Sequence, residues 1–308
     1  YIKPMNTDTH IAFTKMNGLG NDFVIIDARV TPLALTRAQV QRLAARSHAT
    51  TTGCDQLLVL HPPRTHGDVF MQIFNQDGSE VEACGNGTRA VAAYLARQDG
   101  QSDVQIDTLG GLLSAHTEAV NTGDKNASYI PSVKMPLPVF GWADIPLSQA
   151  HDNTAAISLA ADLPPAFMVN VGNPHAVMFV DAVAGAPAAF AGQRGASLEN
   201  HGLFPQGANI NFATRVAPTI LRLDTWERGA GLTQACGTGA CAAAIAAIAT
   251  HLVEGPHVDV RPPANRGDTA QDVIRITYRP NQELIMSGPV RFEFDGLADL
   301  ESHMGDAT

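Results

Sequence analysis

Ala83-Cys84-Gly85-Asn86-Gly87 returns 152 residues later as Ala235-Cys236-Gly237-Thr238-Gly239, and this recurrence organises the reading of the whole chain. Each copy leads into an Ala-rich run, Ala90 to Ala96 and Ala240 to Ala249, whose composition predicts helix. Each cysteine therefore stands at a turn entering a helix. The same offset carries Gly20-Asn21 onto Gly172-Asn173, each ahead of an apolar strand-like run, Val24-Ile25-Ile26 and Ala176 to Val180. It also carries Asn75 onto Glu227, each nine residues before its cysteine. Three elements in one register imply a duplicated chain of two halves, each of about 150 residues and each bringing one Cys to a shared cleft.

Outward from these motifs, β and α patterns alternate. Phe23-Val24-Ile25-Ile26 follows a Gly18-Leu19-Gly20 turn, and Thr36 is a good N-cap for a helix running to about Arg46. Gln56 to Leu60, Val69 to Phe74, Val104 to Thr108 and Leu112 to His116 read as strands. Asn121 to Ser128, Gly141 to Pro165 and Pro262 to Asp272 read as loops.

Composition narrows the function classes. With 45% hydrophobic and only 16% charged residues among 308, the chain can bury a core and is not a disordered segment. Twenty Lys+Arg against 30 Asp+Glu give a net charge of -10 and no basic stripe, which excludes a phosphate-tracking nucleic-acid surface. The longest apolar run, Ala240 to Ala249, is about half of what a membrane span needs, and residues 1–10, polar and without a secretory pattern, read as leader or added residues ahead of the folded chain. These features lead us to expect a cytoplasmic protein acting on a small molecule, with neither membrane nor nucleic acid as partner. The four lysines (Lys3, Lys15, Lys125, Lys134) leave little choice for a Schiff-base residue.

A thiol at a helix N-terminus feels the positive end of the macrodipole, which favours thiolate and predicts a lowered pKa for Cys84 and Cys236. The turn's N–H groups form an anion site suited to a carboxylate, and the glycines admit close approach. Two such units related by pseudo-twofold symmetry hold one carboxylate between two helix ends, with a sulfur on each side of its α-carbon. That is the geometry of two-base racemisation, in which one thiolate takes the α-proton and the opposed thiol returns one to the other face. Cys54 and Cys241 have no repeat partner and read as small buried hydrophobes. A zinc site is disfavoured because no C-x-x-C spacing is present. Phe23 stands where a dinucleotide fingerprint beginning at Gly18-Leu19-Gly20 needs its third glycine. A redox or metal-binding use of the Cys84 and Cys236 pair is the reading from another class.

The motifs resemble those of the diaminopimelate epimerase family, within the cofactor-independent proline racemase-like superfamily. The resemblance rests on Phe13 to Phe23, Ile73 to Glu80, Ala83 to Gly87, Gly172-Asn-Pro-His-Ala176, Trp226 to Gly231 and Ala235 to Gly239, spread from about residue 12 to 297. It implies an α+β fold of two pseudo-symmetric domains, each a mixed sheet rolled into a barrel around a central helix, with the active site in the interdomain cleft. The expected domains are 11–131 with 289–308, closed by a last strand near Met286-Ser-Gly-Pro289, and 132–288.

The implied activity is interconversion of LL-2,6-diaminopimelate and its meso form, toward lysine and peptidoglycan, by a homodimer without metal or pyridoxal phosphate. A racemase of another amino acid, of histidine or proline type, is the alternative on the same scaffold. Carried over motif by motif, Cys84 and Cys236 are the acid–base pair, and the N–H groups of Gly85, Asn86, Gly237 and Thr238 hold the reacting carboxylate. Asn21 and Gln56 line the site; Asn75, Asn173, Asn209 and Arg228 grip the distal head; Glu227 and His175 neighbour the thiols. The chain departs from the family pattern at Asn17, Thr88 and above all Leu232, where an acidic residue is usual, and in extra length near 118–128 and 144–164.

Overall fold

The computed structural model describes residues 10–120, 128–180, 187–263 and 273–300. The expected leader at 1–10 and the expected loops at 121–128 and 262–272 fall outside them but for their end residues, as does most of the expected extra segment at 118–128. In chain order the elements begin β1 (His10–Gly18), β2 (Asn21–Asp27), α1 (Arg37–Ala44), β3 (Gln56–His61), β4 (Val69–Asn75), β5 (Glu80–Val81) and α2 (Gly85–Asp99). They continue with β6 (Asp103–Thr108), β7 (Gly111–Val120), β8 (Ser128–Lys134), β9 (Phe167–Asn170), β10 (Pro174–Phe179), α3 (Pro187–Glu199), β11 (Asn209–Ala217) and β12 (Ile220–Glu227). The last are β13 (Gly231–Leu232), α4 (Gly237–Ala249), β14 (His257–Arg261), β15 (Ile274–Arg279), β16 (Glu283–Ser287) and β17 (Arg291–Asp299). The chain forms two compact units, one from the described residues up to Tyr129 and from Val290 onward, the other Ile130–Pro289.

In the first unit β1 is antiparallel to β2, β2 runs parallel to β3, and β3 is antiparallel to β4. β4 then pairs antiparallel with β5 and parallel with β6, which is antiparallel to β7. The second unit repeats this order and these senses with β9, β10, β11, β12, β13, β14 and β15. Even the register returns: Phe23 faces Gln56 in the first, and His175 faces Asn209 in the second. β16 and β8 extend the second sheet beyond β15, while β17 closes against β1 in the first.

Strands β2 and β3 are buried almost throughout because both faces are covered, which explains their unbroken apolar runs. Val24, Ile26, Leu57 and Val59 pack with Val40 and Leu43 of α1 on one face. On the other, Leu58 meets Gly87 of α2. Thr36 caps α1 in a capping box with Gln39, as its sequence predicts. The helices α2 and α4 are buried from Asn86 to Leu95 and from Gly239 to Ala247, with strands around them on every side. Their alanine content follows: only a slender helix fits inside a curled sheet. Each unit is thus a mixed sheet wrapped around one central helix.

The expected loop Gly141–Pro165 is irregular, yet it is not a solvated excursion. Ile145, Leu147, Ile157, Leu159 and Leu163 enter the second core beside Met178 and Phe212. α3 carries no clear sequence signal, and its Gly195 has a packing reason. A Cβ there would lie 2.4 Å from the Trp226 ring, so the glycine lets β12 approach the helix.

Between β1 and β2 the turn is the two-residue type, with Leu19 at φ 61° and Gly20 at φ 96°, both left-handed as a tight hairpin requires. Asn17, where the resemblance expects His, accepts the Gly20 N–H through its side-chain oxygen at 2.8 Å. The hairpin therefore fixes Asn21 at the first position of β2. Among the described residues no helix is long and apolar enough to cross a membrane.

Asp224 of β12 is buried, and among the described residues its Oδ1 has no hydrogen-bond partner. Burial pushes its pKa up to about 6, the Arg222 charge countering only in part. The folded state thus holds this proton more tightly than an unfolded Asp near pH ~4, and stability falls as pH rises from about 4 through about 6. Asp224→Asn is expected to raise stability by on the order of 2 kcal/mol at pH ~7.5, with the gain gone near pH ~4. Thermal melts at the two pH values check this; an equal shift at both would refute it.

Candidate active site

Both predicted helices begin earlier than their alanine runs, at Gly85 and Gly237, so that each cysteine is the N-cap itself. Cys84 has φ -146° and ψ 109°, and Cys236 has φ -121° and ψ 110°. This extended backbone folds each sulfur over the first turn. Cys84 Sγ accepts the Gly87 N–H at 3.2 Å, and Cys236 Sγ accepts the Gly239 N–H at 3.3 Å. The N–H groups of the residues just after each cysteine belong to the four that a helix start cannot pair internally, so both turns present donors suited to an anion.

In the first unit, Leu58 touches Gly87, and Gln56 lies two residues earlier on the same strand face. Gln56 pairs with Asn75, and its Nε2 donates to Asn75 Oδ1 at 3.2 Å. Asn75 Nδ2 in turn donates to Ser79 Oγ, and Gln56 Oε1 is buried without a partner among the described residues. Asn21 donates to Asp55 Oδ2 at 3.0 Å and faces Asn86 Nδ2 at 3.5 Å, while Arg89 donates to Asn86 Oδ1 at 2.8 Å. A carboxylate only accepts and a guanidinium only donates, so Asp55 and Arg89 orient both amides between them. Asp55 belongs to a charge cluster with Arg46, Asp22 and the buried Lys15, in which its neighbour Asp22 is held well below the carboxylate range. Lys15 is engaged there by Asp22 and the Gly53 carbonyl.

In the second unit, Glu227 sits against Cys236 and accepts the Thr233 hydroxyl at 2.6 Å. Burial pushes Glu227 upward in pKa. The Cys236 thiol is pushed well above its ordinary value, first by burial and then by the Glu227 charge. The Thr238 hydroxyl and the Gly239 N–H only partly oppose this. The sequence expectation of a lowered pKa is therefore corrected for Cys236: the helix end is outweighed by desolvation and a neighbouring carboxylate. Cys236 rests as a thiol, a proton donor, whereas Cys84 is half-buried. Cys54 and Cys241 are fully buried, and burial pushes Cys54 up to about 12, in keeping with packing roles.

Asn209 is buried with both ends of its amide engaged, donating to the Pro174 carbonyl at 3.0 Å and accepting the Arg228 N–H at 3.0 Å. It fixes the two backbone segments that carry Asn173 and Arg228. The Arg228 guanidinium donates to the Gln206 carbonyl at 3.2 Å. His175 is fully buried between Asn173 and Asn211. Leu232 is 48% exposed beside Thr233, so the missing acidic group leaves an open apolar side chain there.

Sequence reasoning passed over Asp55, Arg89, Asn211 and Thr225. Only Asn211 left a trace, as the second of two asparagines on one face in Asn209-Ile210-Asn211. Among the described residues no group of three His, Cys, Asp or Glu side chains is placed to share a metal ion.

Comparison with known proteins identifies the fold and the family. Solved structures of low identity share the fold. A hydroxyproline epimerase of Agrobacterium vitis matches with a TM-score of 0.61 at 12% identity, over 98% of this chain and 96% of its own. A predicted epimerase of Pseudomonas aeruginosa matches with a TM-score of 0.63 at 14% identity, over 93% and 98%. In sequence, the diaminopimelate epimerase of Sphingopyxis alaskensis is 44% identical over 93% of this chain and 97% of its own. That of Rhodospirillum centenum is 41% identical over 92% and 91%. The family model for diaminopimelate epimerase matches residues 13–129 and 167–292, which include both cysteine turns, and the chain belongs to the diaminopimelate epimerase family.

Proposed function

We propose that this protein is a two-thiol epimerase that interconverts LL-2,6-diaminopimelate and meso-diaminopimelate, with Cys84 and Cys236 each serving one face of the reacting α-carbon. The observation that carries the reading is the repeated N-cap geometry, one cysteine sulfur over one helix start in each unit. In this reading the first-turn N–H groups of Gly85, Asn86, Gly237 and Thr238 bind the reacting carboxylate and stabilise charge as the α-proton leaves. A Cys84 thiolate takes that proton while the Cys236 thiol, kept protonated by burial and Glu227, delivers its own to the opposite face. After one turnover Cys84 holds the proton and Cys236 is the thiolate, ready for the reverse direction.

Asn75, Asn173 and Arg228 are assigned to the distal amino-acid head, where a guanidinium suits a carboxylate, and Asn209 supports two of them. Asn21 and Gln56 line the reacting end. The same reading places the enzyme in the cytoplasm as a homodimer, on the route to lysine and the peptidoglycan cross-link, and without a bound cofactor.

The test is LL-diaminopimelate in heavy water with purified protein, a chelator and no added pyridoxal phosphate. Meso product is expected to carry one solvent deuterium at its α-carbon while the remaining LL substrate stays protiated early in the reaction. An unlabelled product, or no turnover of this substrate with turnover of another amino acid in a chiral-chromatography panel, would overturn the assignment.

A further inference from the structure

The second unit holds a run of polar side chains whose hydrogen-bond directions are determined by their partners. Asn211 is fully buried in β11. Its Nδ2 lies 3.2 Å from the Ala176 carbonyl and 3.3 Å from the Asn209 carbonyl, and its Oδ1 lies 3.0 Å from Thr225 Oγ1. Backbone carbonyls only accept, so the amide nitrogen must face them and the oxygen must take the Thr225 hydroxyl proton. The same Nδ2 stands 3.0 Å from His175 Nδ1. A protonated Nδ1 would set two donors against each other, so Nδ1 is the ring's acceptor. The ring proton is then on Nε2, which lies 2.8 Å from Asn173 Oδ1.

We propose that Asn211, held by Thr225 and two strand carbonyls, is a positioning residue that fixes His175 in its neutral Nε2–H tautomer and through it fixes the orientation of the Asn173 amide. His175 then acts as a rigid spacer whose Nε2–H donates a hydrogen bond to Asn173 Oδ1, which turns the Asn173 NH2 away from the ring. Asn173 is half-buried, so this NH2 is the group it has left to offer a ligand. Where the epimerase reading holds, Asn173 meets the distal head as a donor, selecting a carboxylate oxygen over an ammonium. Burial supports the neutral ring, pushing the His175 pKa down to about 3. The backbone of Gly239 packs against this run as well, 2.7 Å separating a Cβ placed there from Asn211 Oδ1, so the relay and the Cys236 turn are one packed unit.

The first measurement uses the free full chain labelled with 15N-histidine, the His175 signals being assigned by comparison with His175→Gln. Long-range proton–nitrogen spectra are expected to show a pyridine-type Nδ1 and a pyrrole-type Nε2, unchanged between pH ~5 and ~9. An Nδ1–H tautomer or an imidazolium in that range overturns the relay, whatever the protein's activity. The second measurement is Asn211→Asp, which puts an obligate acceptor against Nδ1. It is expected to move the ring proton to Nδ1 and to raise KM for diaminopimelate at least about tenfold while kcat stays within about threefold, since uniform binding is lost. Unchanged ring signals in a folded Asn211→Asp variant, or an unchanged KM with a fallen kcat, would sink the positioning role. If this variant does not fold, the wild-type spectrum alone decides the tautomer. If the wild type does not turn over diaminopimelate, the epimerase reading fails separately.

Discussion

Cys84→Ser and Cys236→Ser are each expected to lower epimerisation in both directions by at least about 10³-fold while leaving the melting temperature unchanged or slightly raised. The two effects separate because the cysteine does two jobs. As an N-cap it accepts an N–H three residues on, and serine accepts that bond better. As an acid or base it must exchange a proton with carbon, and a serine hydroxyl ionises far too weakly. A purely structural N-cap would be expected to be Ser, Thr, Asp or Asn; two cysteines at equivalent caps point to chemistry. The double variant should be no slower than either single one, because both groups act in one event. Chiral chromatography of product with thermal melts on the same samples decides it; a single variant retaining wild-type rates in both directions would end the two-base assignment.

The second large effect is at Gly239. A Cβ there would meet Asn211 Oδ1 at 2.7 Å, Thr225 Oγ1 at 2.8 Å and Cys236 Cβ at 3.2 Å, all within the buried interior of the second unit. All three atoms belong to buried side chains held by their own hydrogen bonds or by the turn itself, so the helix start must shift. Gly239→Ala is expected to cost about 1–3 kcal/mol of stability as overpacking. Because the Gly239 N–H holds the Cys236 sulfur, activity should fall about 10²-fold with it, in line with misplacement of a reacting group. The equivalent first-unit position behaves differently. At Gly87 a Cβ finds Cys84 Cβ and Leu58 Cδ1 at 3.4 Å and Cys84 Sγ at 3.5 Å, ordinary contacts. Gly87→Ala should fold with at least wild-type stability, gaining up to ~1 kcal/mol of helix propensity. Parallel melts and steady-state rates check the contrast; equal losses at both glycines would refute it.

That contrast shows what the sequence holds and what it omits. The duplication, the helices behind the cysteines and the strands of the first half are legible because each depends on local composition or on a repeat. Cys84 and Cys236 are legible for the same reason. The two glycines look alike in sequence, yet only one is required by its neighbours, which come from β11 and β12. α3 was invisible because its apolar face is broken by Gly192 and Gly195, and its place is set by Trp226. The Cys236 thiol inverts the expectation from its helix end because burial and Glu227 arrive through the fold. Asp55, Asn211 and Thr225 orient other side chains, and such a role leaves no residue pattern along the chain.

The pairing of β1 with β17 has a consequence for how the protein is made. Residues His10 to Asn17 find their outer partners only in Arg291 to Asp299, so a ribosome working through the second half holds a first half whose sheet is still open. The second unit, continuous from Ile130 to Pro289, contains among the described residues the partners of strands β9 to β16 and can close before synthesis ends. The order of completion is thus reversed from the order of synthesis, and a message broken before Val290 yields a chain with β1 as an exposed, association-prone edge.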